Sequence, residues 1–303
     1  MEGTSIEWAT HSFNPWRGCS RVSKGCERCY AESQSKRNLK VLGQWGPNGT
    51  RVVANEAKWA EPAKWDRQYQ EAYDEWHAHG MDEGPPPERP RVFCASMADV
   101  FEDWHGHMVD SQGDVLWFKR GSIVRAGQTT PCLSLGERTA TMSDARARLF
   151  RLIHETPNLD WLLLTKRPEN IAKHLAEYAN RIDTYAAEAF SKVWSRRVWL
   201  GTSVENQDAA DERIPHLLKV PAAVRFLSCE PLLGPVNLLQ SDSFSDGEGG
   251  GVAYAIAGSE WDMGQPGIDW VIVGGESGHG ARPCDVAWVR ESVGQRRAAE
   301  GPV

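Results

Sequence analysis

The chain contains no uninterrupted apolar run of about 18 residues, so a membrane-spanning helix is not expected. The segment from Met1 to Pro15 is polar and has no apolar signal-peptide core, which makes the cytoplasm the expected location. Positive charge is in short supply: 34 Lys and Arg stand against 41 Asp and Glu, a net charge of −7. That balance argues against a nonspecific DNA coat, although a local basic groove stays compatible with it because binding follows local potential. Several signatures are also missing. There is no HExxH, no P-loop, no Ser–His–Asp order that stands out and no internal repeat. No Gly-rich fingerprint follows the first strand-like run, which weakens a dinucleotide-binding reading.

What is there points to an α/β fold. Five short apolar runs end in polar or Gly residues: 91–96 (RVFCAS), 160–166 (DWLLLTK), 197–203 (RVWLGTS), 224–230 (VRFLSCE) and 269–276 (DWVIVGGE). Continuous apolar runs of this length fit parallel strands buried on both faces. Helix-like stretches alternate with them. Residues 143–155 start at a Ser N-cap, 167–178 carry Pro168 near the start, and 206–218 place Ile214, Leu217 and Leu218 on one face. The alternation predicts a single domain over 1–303, an incomplete (β/α)6-like barrel with insertions near 103–142 and 240–267. A barrel would follow its last helix with another strand, so a shortened C-terminus is expected. The fourteen tryptophans are assigned mainly to the barrel shell, with any exposed ones available to stack on a base.

In a reducing compartment, seven cysteines read as thiols or metal ligands, not as a disulfide framework. Three fall in Asn14–Tyr30, NPWRGCSRVSKGCERCY, with the spacing C-x6-C-x2-C. Cys19, Cys26 and Cys29 would satisfy three irons of a [4Fe–4S] cube and leave the fourth open for S-adenosylmethionine (SAM). A structural zinc site wants a fourth ligand, from His11 or a distant Cys94, Cys132 or Cys229, and there is no second Cys pair. Unligated core cysteines remain a third reading.

Carboxyl ends of parallel strands converge on the active face of a βα barrel. Here they offer Ser96 and Asp99, Thr165 with Lys166 and Arg167, Ser203 with Glu205, Ser228 with Glu230, and Gly274–Gly275–Glu276. Polar residues begin at any strand end, but five such ends in one chain favour a functional set. Lys166, Arg167 and Arg282 suit a phosphate or carboxylate, or equally are solvated loop charges. The pairs His77/His79 and His105/His107 read as surface residues.

The segments IEWATHSFNPWRGCSRVSKGCERCYAE, WLLLTKRPENI, VWLGTSVENQ, RFLSCEPLLGPV and DWVIVGGESGHGARP resemble those of uncharacterised three-cysteine-motif proteins of phages, prophages and actinobacteria. That family is in turn similar to radical SAM enzymes, including the branch of spore photoproduct lyase, which repairs a thymine dimer. The resemblance implies a cluster on Cys19, Cys26 and Cys29, with SAM as second cofactor and an electron donor such as flavodoxin or ferredoxin. It makes DNA or a nucleotide the implied substrate. On this reading Tyr30 packs on adenine. Ser96, Asp99, Ser203, Glu205, Glu230, Gly274, Gly275 and Glu276 line the SAM or substrate pocket, and Lys166, Arg167 and Arg282 meet substrate. Cys229 at its strand end either returns a hydrogen atom or, as the favoured reading, is a buried core thiol. The sequence departs from common radical SAM spacing in its first gap of six residues, and its GGE lies late in the chain. Two other classes compete: a zinc-stabilised nucleic-acid-binding phage accessory protein without catalysis, and a barrel hydrolase or nuclease using Asp99, Glu205, Glu230 and Glu276 around a divalent metal.

Overall fold

All five apolar runs become strands of one parallel sheet, with a sixth added at the edge. The computed structural model describes residues 4, 6–79, 84–119, 122–125, 138–238, 267–278 and 280–298. Its six strands are β1 (His11–Phe13), β2 (Arg91–Cys94), β3 (Asp160–Thr165), β4 (Val198–Ser203), β5 (Val224–Cys229) and β6 (Trp270–Val273). They hydrogen-bond in chain order, and every neighbouring pair is parallel. A series without reversal has no switch point, which separates this sheet from a doubly wound one.

The helices are α1 (Tyr30–Arg37), α2 (Glu56–Ala78), α3 (Met142–Glu155), α4 (Ile171–Ala179), α5 (Thr184–Arg197), α6 (Gln207–Leu218) and α7 (Val286–Ala298). Crossovers of one hand place the connecting helices on one face when strand order never reverses. The packing follows that rule. Val92, Cys94, Trp161, Leu163, Val198, Leu200 and Leu227 join one core with Leu149, Phe150, Ile171, Phe190, Trp194 and Ile214 of the helices. The alternate residues Phe93, Leu162 and Phe226 point the other way and meet Ala9, with Trp8, Trp199 and Trp270 packed around them. Trp8 lies edge-on to Phe93 at 4.5 Å between ring centroids. No described helix is long and apolar enough to cross a membrane.

Three sequence expectations need correction. Strand β1 lies in a segment read only as polar; its one buried residue is Phe13, and as an edge strand it has one paired side. Helix α3 starts one residue earlier than expected, because Thr141 and Asp144 form a capping box and Ser143 does not cap. The stretch 103–142 is not irregular throughout. Met108–Val109 pairs with Arg51–Val53, which also pairs with Trp16–Arg17, and Leu116–Lys119 pairs antiparallel with Ser122–Arg125 and Arg138–Thr139. The second expected insertion, 240–267, lies outside the described residues apart from Gly267.

The segment that follows β2 is held from the helix layer. Arg146 of α3 donates to the carbonyls of Val100 and Glu102, both at 2.8 Å. Its third arm reaches His174 Nδ1 of α4 at 3.0 Å. The other ring nitrogen, Nε2, lies 3.2 Å from Asp103. Glu177 lies 3.1 Å from Nδ1. Burial, and then Arg146, lower the His174 pKa in spite of the two carboxylates.

Two expected outcomes follow from this packing. Gly201 lies under the Phe226 ring, where an added Cβ would stand 2.4 Å from ring carbons. Gly201→Ala should therefore cost about 1–3 kcal/mol by overpacking, read by urea unfolding, and Phe226→Leu should recover part of the loss. Unchanged stability in the single variant would refute the close approach. For His174, a depressed folded-state pKa contributes stability that is present above the unfolded value of about 6.5 and lost as pH falls below it. Wild type should lose urea resistance between about pH 7 and pH 5 more steeply than His174→Asn; parallel profiles would remove His174 from the support of this segment.

Candidate functional site

Strand β1 runs straight into the cysteine-bearing loop, which then lies across the carboxyl ends of the other strands. At β2, Asn14 bonds the Ser96 hydroxyl at 3.0 Å and accepts from the Met97 amide at 2.8 Å. Gly18 N donates to Met97 O, and Tyr30 OH donates to Ser96 O at 2.6 Å. At β3, Arg167 donates to Ser20 O at 2.8 Å and toward Cys19 Sγ at 3.7 Å. Beyond β4, the Glu205 carboxylate lies beneath Gly25, where a Cβ would come within 3.0 Å of it. Beyond β6, Arg282 donates to Lys24 O at 3.0 Å and pairs with Glu27 at 3.1 Å. Four of the six strand ends thus touch one loop.

Beneath the Cys19 end of the loop lies a buried network of charges. Asp99 accepts from Thr165 Oγ1, Arg167 Nη1 and the amides of Phe101 and Lys166. Glu102 takes both arms of Arg51 at 2.7 and 2.8 Å, and Arg167 approaches it at 3.4 Å. Arg51 also donates to Ser20 Oγ at 2.9 Å and lies over Trp104. Arg51 and Glu102 went unrecognised in the sequence. Neither occupies a motif, and a Glu beside Asp103 in a loop carries no spacing signal.

The structure divides the remaining expected site residues. Ser203 and Ser228 are register neighbours on β4 and β5, both buried. Ser228 donates to Glu230 at 3.4 Å. Glu205 is clasped by Arg213 at 2.7 Å, with Lys166 at 3.9 Å. Burial opposes its charge, but Lys166 and Arg213 outweigh burial and hold its carboxyl below the usual range. Arg213 was another omission; it lies eight residues on, two turns along α6.

Other assignments change. Arg167 and Arg282, expected to meet substrate, bind the loop instead: Arg282 grips Glu276 through its amide and its guanidinium, so Glu276 is already matched. Asp99 is likewise spent on the protein. Cys229, expected at the site, is fully buried in the helix-side core with its thiol pushed up to about 12 by burial. Alternation along β5 turns Ser228 toward the site face and Cys229 away from it. Gly275 lies 3.2 Å, by its would-be Cβ, from Cys284 Cβ, and Gly274 packs against Glu230.

The three cysteines are free and half-buried. Cys29 is the N-cap residue of α1, where burial raises its thiol pKa and the amides of Glu32 and Ala31 draw it back. Cys26 lies close enough to Cys29 to raise it further. Cys19 is raised by burial and then by Glu102 and Asp99, against Arg167. Among the described residues, no three His, Cys, Asp or Glu side chains gather as a metal-holding group. The donor chemistry nonetheless fits a cluster: three unpaired thiols on one loop, with N–H donors at two of the sulfurs.

No curated protein and no solved structure matches this chain. A family model described as "Protein of unknown function (DUF5131)" matches residues 3–112 and 138–302. The match spans every strand of the parallel sheet, the whole cysteine loop and each strand end that touches it, and it omits 113–137, which lies within the stretch read as an insertion. The chain belongs to the DUF5131 family.

Proposed function

We propose that this chain is a radical SAM enzyme in which Cys19, Cys26 and Cys29 hold a [4Fe–4S] cluster on an incomplete (β/α)6-like barrel. One observation carries the reading: a loop bearing three free thiols lies across the carboxyl ends of consecutive parallel strands. Parallel βα units wound in one direction, as in βα barrels, carry their active sites at this end. The barrel geometry is supported by chain-order strands with the helices packed on one face. Three thiolates leave one iron of such a cluster open. Held by Cys19, Cys26 and Cys29, such a cluster with SAM would supply one-electron reductive cleavage of the sulfonium, releasing methionine and a 5′-deoxyadenosyl radical.

The chain's own residues give this chemistry its frame. Arg167 and Arg282 fix the two ends of the loop, and Tyr30 is tethered to β2 through Ser96 O. Ser203 and Ser228 supply hydroxyls on the face opposite the helices, and Lys166 stands beside Glu205. DNA or a nucleotide is the substrate class we attach to this reading, supported by the likeness to photoproduct lyase and by the position of Lys166. Flavodoxin or ferredoxin would supply the electron.

Anaerobic reconstitution with iron and sulfide tests the proposal. About four irons per chain and a SAM-dependent change in the EPR signal of the reduced protein are expected, and Cys26→Ala should abolish both while leaving the circular dichroism spectrum unchanged. One bound zinc with no response to SAM would replace this reading with the zinc-stabilised, non-catalytic one.

A further inference from the structure

Among the acidic side chains at the strand ends, one stands apart. Asp99 and Glu102 bond Arg167, Glu102 also bonds Arg51, Glu205 bonds Arg213, and Glu276 bonds Arg282. Glu230, directly after β5, meets no described basic side chain; its partner is the Ser228 hydroxyl. The glycine next to it is shaped to this carboxylate. A Cβ on Gly274 would stand 2.5 Å from Glu230 Oε1, so any side chain there would displace it.

A half-buried carboxylate without a cation is costly to keep ionised. Burial does raise the Glu230 carboxyl above the usual range, with Ser228 offsetting part of the shift. Groups retained against such a cost are found where a ligand supplies the missing charge. Glu276, the acid of the GGE tripeptide, does not qualify, because Arg282 already neutralises it in a two-pronged grip.

We infer that Glu230, and not Glu276, receives the positively charged group of the bound ligand, an ammonium or a sulfonium, and that Gly274 is glycine to make room for it. The inference rests on the radical SAM reading and assigns the cation subsite within it. The carboxylate, held by the Ser228 hydroxyl, offers the charge-assisted acceptor that such a group needs.

The test is equilibrium binding to the reconstituted wild type and to Glu230→Gln, with three probes. SAM carries ammonium and sulfonium, S-adenosylhomocysteine the ammonium alone, and methylthioadenosine neither. Glu230→Gln should weaken SAM at least tenfold and leave methylthioadenosine within twofold. S-adenosylhomocysteine weakened in parallel assigns the ammonium; S-adenosylhomocysteine unchanged assigns the sulfonium. Iron content should stay at the wild-type level, and the melting temperature should not fall, since the variant removes an unmatched charge. Gly274→Ala, which keeps the carboxylate but displaces it, should reproduce the loss, and Glu276→Gln should not. Equal weakening of all three probes, unchanged SAM affinity in Glu230→Gln, or a melting temperature lowered by several degrees would overturn the inference and leave the enzyme assignment standing. Failure of the wild type itself to bind SAM would instead remove both.

Discussion

Arg167 is the pin on which the site depends. One guanidinium joins Asp99 beyond β2, Glu102 in the following loop, the carbonyl of Ser20 and the sulfur of Cys19. Remove it, and the Cys19 end of the loop keeps only Arg51 at Ser20 and the Gly18 amide on Met97, while Asp99 loses its cation. The neighbouring carboxylates raise the already high pKa of Arg167, so the pin stays charged wherever the protein is folded. Arg51 shares Glu102 and adds Ser20 Oγ, so the two arginines grip the main chain and the side chain of the same loop residue.

Buried ion networks of this kind are weak evidence for stability, since desolvation consumes much of the Coulombic gain. Their geometry is what distinguishes them here. Planar guanidinium forks with fixed partners leave the loop few alternative positions. Helix α3 extends the same control from below, because Arg146 holds the carbonyl of Glu102 while Glu102 holds Arg51. The proposed cluster would need this kind of support, as outer-shell partners set ligand orientation.

Much of the fold was legible because it is written in local periodicity. The five apolar runs became β2 to β6, with ends shifted by no more than three residues. Strand β1 was hidden because an edge strand of three residues needs only Phe13 to be apolar. The site was legible in its residue types but not in its pairings. Spacing located the cysteines and the polar strand ends, yet nothing local says that Arg282 will take Glu276 or that Arg51 will cross 51 positions to Glu102. Cys229 shows the same limit in miniature: placing it at a strand end was correct, but a single step of the pleat decides whether it faces chemistry or core.

The face opposite the helices is itself divided along the strands. Toward the amino ends it is filled by Trp8, Phe93, Trp199, Phe226 and Trp270. Trp8 contributes from the segment before β1, within 6.2 Å of three of those rings. Toward the carboxyl ends the same face carries Ser203 and Ser228, with Glu230 just beyond. Apolar and polar residues on this face are thus separated along the strands, with the hydroxyls at the end where the cysteine loop lies. Arg167 at β3 and Arg282 beyond β6 anchor that loop at the same end of the sheet. Two of the three cations first expected to meet substrate, Arg167 and Arg282, are thereby engaged with the loop and with Asp99, Glu102 and Glu276.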